Sequence, residues 1–426
     1  SITTENEQMK AYSEAANSGL YAKQSGLVGK YDNVRRLWED ETTRFFLQPH
    51  LKRLIERRHA EMRRIRVMDL GCGSADGYEL LTGVRHRDAD LCDVEIALLT
   101  PANLACYKGV ELNEDLVAQA REIYGSQSKL VFEKADFING LPLAKNEKPY
   151  DLYFASYGTW SHHNHDESSI RLLAEIAQET EDYCLIVCDW LGRYAYEWQS
   201  LWTNDLAIRP NMDYVVSYIY DKQEREALRN QLEHLTLRLV ARQEADAIIS
   251  EASQRAGTEI KPLGFFDRSV FTGRHMDTGE YNSHCQPLRL AVNALHESNL
   301  RTNPSDVLVD YNPMAGFEFL NDYFEHLQMC WNTLILYVDE LMQSYDVRDR
   351  CFSPQPPAIP ATYPPPLREM MERMKAAQFG AIFFGMGLTM TRGKHCNSEA
   401  LLALTRDMNR HTRFVCKPNR GHGNVT

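Results

Sequence analysis

Short apolar runs alternate with helical patterns along the first half of the chain. Residues 31–62 place apolar and charged residues at helical spacing, and this stretch ends where the compact apolar run IRVMDLGCG begins at residue 65. Further strand candidates, separated by sequences of helical spacing, are residues 105–112, 129–136, 151–156 and 183–190. Strands that alternate with helices predict an α/β fold with a doubly wound, mostly parallel sheet.

The pattern changes after Trp190, where long charged stretches begin. Residues 221–256 and a stretch near 317–343 have helical spacing, so we interpret this part as a helical insertion or cap. Proline then concentrates in residues 352–367, which indicates an extended linker. The predicted domains are an N-terminal helical lid at 1–62, an α/β core at 63–195, the insertion with the remaining core strands at 196–351, the linker at 352–367, and a short strand-helix-strand module at 368–426.

Composition and charge narrow the class of protein. Of the 426 residues 43% are hydrophobic and 25% are charged, as in ordinary folded domains. The net charge of -12 argues against a general affinity for nucleic acid or anionic membranes. No run approaches the roughly 20 apolar residues that cross a bilayer, and the first residues lack the apolar core of a secretory signal. We therefore expect a cytoplasmic protein with no membrane partner. The ten cysteines form no CxxC pair, and we expect buried free thiols.

The strongest local signal is the run VMDLGCGSADG at residues 67–77, which lies between an apolar strand and a helical pattern. Glycines at such a turn let the backbone approach a ligand closely, and the amides of the following helix face that ligand. A dinucleotide fingerprint would need glycine at position 76, where an aspartate would repel a pyrophosphate. No Gly-Lys-Ser/Thr follows, so the Walker pattern fails as well. The turn predicts a small-molecule cofactor other than NAD or FAD.

This turn resembles the first motif of the class I S-adenosylmethionine-dependent methyltransferases, in which an acidic residue precedes Gly-x-Gly. The matching residues are Asp69, Gly71 and Gly73, and Ala75 stands where a third glycine is common. The resemblance implies a Rossmann-like fold, S-adenosylmethionine as cofactor and S-adenosylhomocysteine as product. It also implies that Glu111 takes both ribose hydroxyls, which suits a carboxylate.

A third match follows the next strand. Asp136 stands where the family contacts the adenine amino group, and Phe137 is available to cover the ring. Either acidic residue alone could be a solvated carboxylate at a strand end, but both together, in order, favour the cofactor site. The stretch before Glu111 is longer than usual, which predicts an insertion at 85–103. The implied cofactor residues are Asp69, Gly71, Cys72, Gly73, Glu111, Leu112, Asp136, Phe137 and Ser156.

Candidate acceptor residues lie in the loops after strands four and five, because ligands of such folds lie outside the carboxyl ends of the strands. After strand four, His162 and His163 are candidates for a general base, and Tyr157 and Trp160 for an aromatic wall. The alternative is a helix-capping loop with its histidines in solvent. We do not predict a metal site from HHNH, because no fourth ligand is identifiable.

After strand five, Trp190 and Arg193 are candidates for the acceptor pocket. The aromatic residues at spacing four from Tyr194 fit either a core stripe or a pocket. In residues 271–282 an arginine, a histidine and an aspartate crowd one turn-rich segment. They could anchor an anionic or polyhydroxyl acceptor, or form an internal salt bridge.

Residues 378–426 resemble a segment of the B subunit of formylmethanofuran dehydrogenase and of its relative in the bacterial formyltransferase/hydrolase complex. The resemblance rests on FFGMGLT, RGKH, RDMN and RGHGNV. About fifty residues cannot bury enough surface to fold alone, so we expect the segment to dock on the rest of the chain or on a partner, or to remain disordered. No dehydrogenase activity follows from it.

These observations favour methyl transfer from S-adenosylmethionine to a small-molecule O, N or C nucleophile. One alternative is a methyltransferase-like binding subunit of a one-carbon enzyme complex without turnover, which the C-terminal resemblance motivates. A nucleic-acid methyltransferase is disfavoured by the net charge and by SYGTW at residues 156–160, where Asn/Asp-Pro-Pro-Tyr/Phe would be expected. A homodimer and a docking partner for the C-terminal module both remain open.

Overall fold

A computed structural model describes residues 12–13, 16–17, 32–88, 94–196, 211–215, 234–266, 288–295, 303, 306–313, 315–344, 365–385 and 394–419. The chain forms two compact units, Ser1–Ile335 and Leu336–Thr426. No helix among these residues has both the length and the apolar character that a bilayer crossing requires.

A parallel sheet forms the centre of the first unit. Its strands are β1 (Ile65–Leu70), β4 (Leu104–Glu111), β5 (Leu130–Lys134), β6 (Leu152–Phe154) and β7 (Leu185–Val187). Their order is β5-β4-β1-β6-β7, and all neighbouring pairs are parallel. The order reverses beside β1, and in such sheets ligands bind at the carboxyl ends near this point. The predicted α/β fold with a mostly parallel sheet is confirmed.

Helices cover both faces of this sheet. They are α1 (Asp40–Ala60), α2 (Asp76–Thr82), α3 (Glu114–Tyr124), α4 (Asp166–Glu179) and α5 (Arg242–Ala256). The neighbouring residues Val67 and Met68 of β1 are both fully buried, yet they belong to different core clusters because successive strand residues point to opposite faces. The Val67 cluster includes α1, α2 and α3, and the Met68 cluster includes α4 and α5.

An antiparallel hairpin lies where the sequence predicted an insertion. Its strands are β2 (Arg85–Asp88) and β3 (Val94–Ala97), and they pair with each other between α2 and β4. The hairpin accounts for the long stretch between the glycine turn and Glu111. It leaves β1 and β4 adjacent in the sheet.

The long helix predicted at residues 221–256 is partly wrong. Its second half forms the strand β10 (His234–Val240) followed by α5, while residues 221–233 lie outside the described residues. The strand pairs with β8 (Leu191–Gly192) and β9 (Asn211–Val215). Leu237 and Leu239 are buried, and this spacing of two is the period of a strand. The helices α6 (Arg289–Leu295) and α7 (Glu318–Ser344) follow.

The second unit contains a parallel strand pair joined by a helix. Its described elements are α8 (Pro365–Ala376), β11 (Phe379–Gly385), α9 (Lys394–Met408) and β12 (Arg413–Asn419). The strand-helix-strand order is the one that the sequence predicted. Residues 365–367, predicted as the end of the linker, belong to α8, whereas residues 352–364 lie outside the described residues.

Candidate functional site

The turn after β1 contains three residues with left-handed backbone conformation. Gly71, Gly73 and Ala75 have φ angles of 72°, 54° and 72°. This conformation favours glycine because it brings a Cβ atom close to the following carbonyl oxygen. Ala75 occupies it despite its Cβ, at the position where a third glycine is common in the family that the turn resembles.

Gly71 is also required by the packing of the turn. A Cβ atom at this position would collide with the side-chain methyl group of Thr159 and would lie 3.4 Å from the Phe137 ring. Gly71→Ala is expected to lower the free energy of unfolding by about 2–3 kcal/mol through backbone strain and overpacking. Urea unfolding followed by tryptophan fluorescence measures this loss, because all six tryptophans lie in the first unit.

The matched control is Gly257→Ala. Gly257 has a similar φ of 65°, but nothing lies within 4 Å of the position that its Cβ would take. This variant is expected to lose only about 1 kcal/mol, the backbone strain alone. Equal losses of unfolding free energy in the two variants would show that the Thr159 side chain can move aside and that close packing does not require glycine at position 71.

Glu111 lies directly at this turn. Its Oε2 atom accepts a hydrogen bond from the Gly73 amide, and its Oε1 atom accepts one from the Asn113 amide, both at 3.0 Å. Because β1 and β4 are parallel neighbours, their carboxyl ends meet at the same edge of the sheet. The structure therefore brings together the glycine turn and the acidic residue that the sequence placed on two different strands.

Asp69 lies behind the turn and is buried. It accepts a hydrogen bond from the Tyr107 hydroxyl, and a Cβ atom at Gly77 would collide with its carboxylate. Burial raises the pKa of Asp69 to about 7, and the negative charges of Asp76 and Glu111 act in the same direction, while the Tyr107 hydrogen bond opposes them. The Oδ1 atom makes no hydrogen bond with any described residue.

Cys72 lies within the turn, and Leu112 directly follows Glu111. The Cys72 side chain packs into the core, and its Sγ atom lies 2.8 Å from where a Cβ of Gly109 would be. Its backbone amide donates to the Val110 carbonyl oxygen at 3.0 Å. Leu112 is half-buried. Cys72 thus shapes the turn from the core side.

Three other predicted cofactor residues lie near the turn or at the same edge of the sheet. The Phe137 ring is buried and lies beside Gly71, so it can cover a group held there. The Asp136 Oδ1 atom accepts a hydrogen bond from the Ile138 amide at 2.9 Å, which caps the short 3₁₀ helix Phe137–Asn139. Ser156 is buried just beyond β6, and its carbonyl oxygen accepts a hydrogen bond from the Thr159 amide.

A cavity of about 1160 Å³ opens beside the loops after β6 and β7. Four of the predicted acceptor-side residues line it: Tyr157, His162, Trp190 and Arg193. Trp38 and Phe324 add aromatic surface to the wall. Gly71 and Glu111 do not line it.

His162 presents its imidazole to this cavity. The Tyr12 hydroxyl lies 3.4 Å from its Nε2 atom. Burial lowers the pKa of His162 to about 4, so the ring is neutral at pH 7. A neutral imidazole can accept a proton, and this one would be a weak base.

His163 and Trp160 do not reach the cavity, which corrects their predicted roles as base and aromatic wall. Both are buried, and their ring centroids lie 5.2 Å apart. The His163 Nδ1 atom lies 2.9 Å from the Ser169 hydroxyl, and burial lowers the pKa of His163 to about 3. The reason is the 3₁₀ helix Thr159–His162, whose three-residue period sets positions 160 and 163 on the same inward face.

Tyr157 and Arg193 are held by partners that the sequence did not indicate. Tyr157 has a φ of 57°, a strained conformation for an aromatic residue, and its hydroxyl donates to Asp40 Oδ1 at 2.9 Å. Arg193 pairs with Glu244 at 2.9 Å, so its charge is already balanced inside the protein. Residues 271–282, and the tryptophans at spacing four from Tyr194, lie outside the described residues.

Sequence reasoning missed Arg35. Its guanidinium is buried, stacks 3.9 Å above the Tyr157 ring and pairs with Asp76 Oδ2 at 3.0 Å. The pattern of residues 31–62 gave no signal for this, because a charged residue at helical spacing normally faces solvent. Among the described residues, no three His, Cys, Asp or Glu side chains are grouped so as to hold a metal ion.

No family model matches the chain. A segment of 57 residues is 53% identical to the B subunit of the tungsten-containing formylmethanofuran dehydrogenase 2 of Methanocaldococcus jannaschii, and the match covers 13% of this chain and 13% of that protein. The chain therefore spans only a small part of the curated relatives that it matches. The match confirms the short resemblance to that protein.

Two solved structures to which the chain is similar are methyltransferases. The CcbJ methyltransferase from Streptomyces caelestis is 18% identical to this chain. The aligned region covers 47% of this chain and 78% of the CcbJ chain, with a TM-score of 0.30. The magnesium protoporphyrin IX methyltransferase from Synechocystis PCC 6803 is 12% identical to this chain. The aligned region covers 53% of this chain and 78% of that protein, with a TM-score of 0.28.

Proposed function

We propose that the chain transfers the methyl group of S-adenosylmethionine to a small-molecule O, N or C nucleophile. The observation that carries this proposal is the bond between the Glu111 carboxylate and the Gly73 amide. It sets a buried turn of glycines beside a carboxylate at the carboxyl ends of neighbouring parallel strands. A carboxylate oxygen can accept more than one hydrogen bond, so Glu111 can hold both the turn and a sugar hydroxyl.

The charges at the turn suit this cofactor. Glu111 contributes a carboxylate there, the pKa of Asp69 is raised to about 7, and Asp76 is paired with Arg35. S-Adenosylmethionine brings a cationic sulfonium and an ammonium group. The buried oxygens Asp69 Oδ1 and Ser74 Oγ make no hydrogen bond with described residues, and buried polar atoms in proteins normally have partners. Phe137 can cover the adenine ring and Glu111 can hold the ribose. When bound, the cofactor supplies an activated methyl group.

The cavity would hold the acceptor. Tyr157 and Trp190 form apolar walls that exclude water and orient a small molecule toward the turn. His162 would accept the proton that the nucleophile loses as the new bond to the methyl carbon forms, and S-adenosylhomocysteine leaves. Because its pKa is lowered to about 4, the imidazole is ready to accept a proton throughout the neutral range.

Titration calorimetry with S-adenosylmethionine tests the cofactor. Glu111→Gln is expected to weaken binding roughly 10- to 100-fold, as the loss of charge-assisted hydrogen bonds would. The matched control is Glu114→Gln, three residues along the chain, where an exposed carboxylate pairs only weakly with Lys134 at 3.3 Å. Equal affinities of the two variants would contradict the ribose site.

Release of S-adenosylhomocysteine with candidate acceptors then tests turnover. His162→Ala should lose turnover while retaining cofactor binding if the imidazole is the base. Loss of both together would assign His162 to the binding of the cofactor.

A second candidate function is a methyltransferase-like binding subunit without turnover. The 57-residue match to a dehydrogenase subunit favours it, and the second unit exposes the apolar side chains of Phe379 and Leu402. Tight binding of S-adenosylmethionine without product from any acceptor would support this function. Detection of product from one acceptor would exclude it.

A further inference from the structure

The acceptor cavity is richer in aromatic side chains than the exclusion of water requires. Among the described residues, 49 line the cavity, and twelve of these are Phe, Trp or Tyr. This share is about one quarter, whereas 10% of the residues in the whole chain are aromatic. Aromatic rings pack against other rings with a gain in free energy beyond that of apolar burial alone. The wall therefore carries information about the chemistry of the acceptor.

Trp190 lies on a loop that is bonded directly to the loop of His162. The amide of Leu191, next to Trp190, donates to the hydroxyl of Ser161, next to His162, at 2.8 Å. The Trp190 and His162 side chains both line the cavity. The Trp190 ring is fixed from behind by Trp160, which is fully buried, and the two ring centroids lie 5.5 Å apart. An indole is therefore held in the same part of the cavity as the candidate base.

Trp38 brings a second indole to the cavity wall from the residues just before α1. It precedes Asp40 by two residues, and Asp40 accepts a hydrogen bond at 2.9 Å from the hydroxyl of Tyr157, which lines the cavity on the loop after β6. Trp331 of α7 braces Trp38, with ring centroids 5.1 Å apart, and its own indole N–H donates to the Val307 carbonyl oxygen at 2.6 Å. Both indoles of the wall are thus held in place before a ligand binds, which lowers the entropy cost of binding.

The candidate base limits the kind of hydroxyl that the cavity can use. Burial lowers the pKa of His162 to about 4, so its imidazole is a weak base. A weak base takes a proton most readily from an acidic group. An aromatic ring lowers the pKa of the hydroxyl that it carries, to about 10 in tyrosine, whereas an aliphatic hydroxyl is far less acidic. The aromatic wall and the weak base therefore favour the same class of nucleophile.

We propose that the acceptor is a planar aromatic molecule with a phenolic hydroxyl, and that its ring packs on Trp38 and Trp190. This inference rests on the function proposed above and narrows its nucleophile to oxygen. The cavity of about 1160 Å³ has room for fused rings, because pockets for drug-sized ligands measure roughly 300–1,000 Å³.

The reaction balances without a further reactant. The phenolic oxygen forms a bond to the methyl carbon as the bond from that carbon to the sulfonium sulfur breaks. The electron pair of the broken bond stays on sulfur, which gives S-adenosylhomocysteine. The hydroxyl proton goes to the His162 imidazole and from there to solvent. The products are an aryl methyl ether and S-adenosylhomocysteine, so no oxidant or reductant is needed.

Three probes of similar size test the proposal with the full chain. 2-Naphthol has the ring and the phenolic hydroxyl, decahydro-2-naphthol has the same carbon skeleton and hydroxyl without aromaticity, and 2-naphthalenemethanol has the ring with an aliphatic hydroxyl. In titration calorimetry with S-adenosylhomocysteine present, both aromatic probes are expected to bind roughly tenfold more tightly than decahydro-2-naphthol. With S-adenosylmethionine, release of S-adenosylhomocysteine should be at least about tenfold faster from 2-naphthol than from 2-naphthalenemethanol.

Variants of the wall connect this preference to the two indoles. Trp38→Leu and Trp190→Leu keep an apolar side chain and remove the ring, so each should reduce the preference for 2-naphthol over decahydro-2-naphthol to about threefold or less. A variant that merely loses structure would weaken both probes alike. Phe45→Leu is the matched control, because Phe45 is 80% exposed and does not line the cavity. It should leave the preference unchanged.

The results that overturn this inference differ from those that overturn methyl transfer. Equal affinities of 2-naphthol and decahydro-2-naphthol, or an unchanged preference in both tryptophan variants, would show that the wall only excludes water. Equal rates of release with 2-naphthol and 2-naphthalenemethanol, or no release with 2-naphthol, would exclude a phenolic nucleophile. In each of these cases binding of S-adenosylmethionine leaves the proposed methyl transfer standing. If the chain binds neither S-adenosylmethionine nor S-adenosylhomocysteine, the proposed function fails, and this inference fails with it.

Discussion

Arg58→Met is expected to lower the free energy of unfolding of the first unit by about 3–5 kcal/mol. Arg58 lies on α1 and is 1% exposed, and its Nε atom donates to Asp151 Oδ1 at 2.7 Å. Its Nη1 atom bonds Asp182 Oδ2 at 3.0 Å, and Nη2 also donates to the Tyr183 carbonyl oxygen. Removing the guanidinium leaves the buried Asp151 carboxylate with the Arg66 amide at 2.8 Å and the exposed Arg63 guanidinium at 3.5 Å, and this poorly compensated charge carries most of the cost. Urea unfolding followed by tryptophan fluorescence measures the loss.

The neighbouring Arg57 offers the control. Its side chain is 47% exposed and pairs with Glu61 at 3.3 Å, so Arg57→Met should cost less than about 1 kcal/mol. Adding Asp151→Asn to Arg58→Met should recover part of the loss, because the amide removes the poorly compensated charge. A loss below about 1 kcal/mol for Arg58→Met, or no recovery in the double variant, would show that water reaches Asp151 and that α1 is not fastened to the sheet by this pair.

The parallel sheet could be predicted because its strands are buried on both faces. Such strands appear as compact apolar runs, and the helices between them have their own period. The strand β10 was missed for the opposite reason. Its leucines alternate within a long charged stretch, and the flanking sequence has helical spacing, so the period of two is visible over only a few residues.

The meeting of the glycine turn and Glu111 was predictable because these residues are tied to strand ends. Asp69, Gly71 and Glu111 keep a fixed order along the chain, and the parallel sheet then brings them together. The sequence predicted that His163 faces the same pocket as His162, but only His162 lines the cavity. A single 3₁₀ turn decides which imidazole faces the cavity, and one turn is too short to leave a period in the sequence. Arg35 was missed because its partners Asp76 and Tyr157 are distant in sequence, and tertiary packing alone brings them together.

Asp69→Asn is expected to stabilise the first unit at neutral and alkaline pH by up to about 4 kcal/mol. Burial holds the pKa of Asp69 at about 7, above its ordinary value of 3.8, so folding favours the protonated carboxyl. Its contribution to stability is therefore fully present below pH 3.8 and is lost as the pH rises through about 7. Asparagine carries no charge at any pH, and its side-chain oxygen can still accept the Tyr107 hydrogen bond.

The difference in unfolding free energy between Asp69→Asn and the native chain should grow by about 1.4 kcal/mol per pH unit between pH 5 and 7, then level off. Urea unfolding at pH 5, 6, 7 and 8 measures it, and the titration of His162 and His163 cancels because both proteins contain them. Tyr107→Phe gives the complementary test: it removes the donor that favours the charged carboxylate, so the pKa of Asp69 should rise further and the loss of stability should extend above pH 7. Parallel pH curves for Asp69→Asn and the native chain would show that the Asp69 carboxylate is stabilised in the folded protein by water or by a cation.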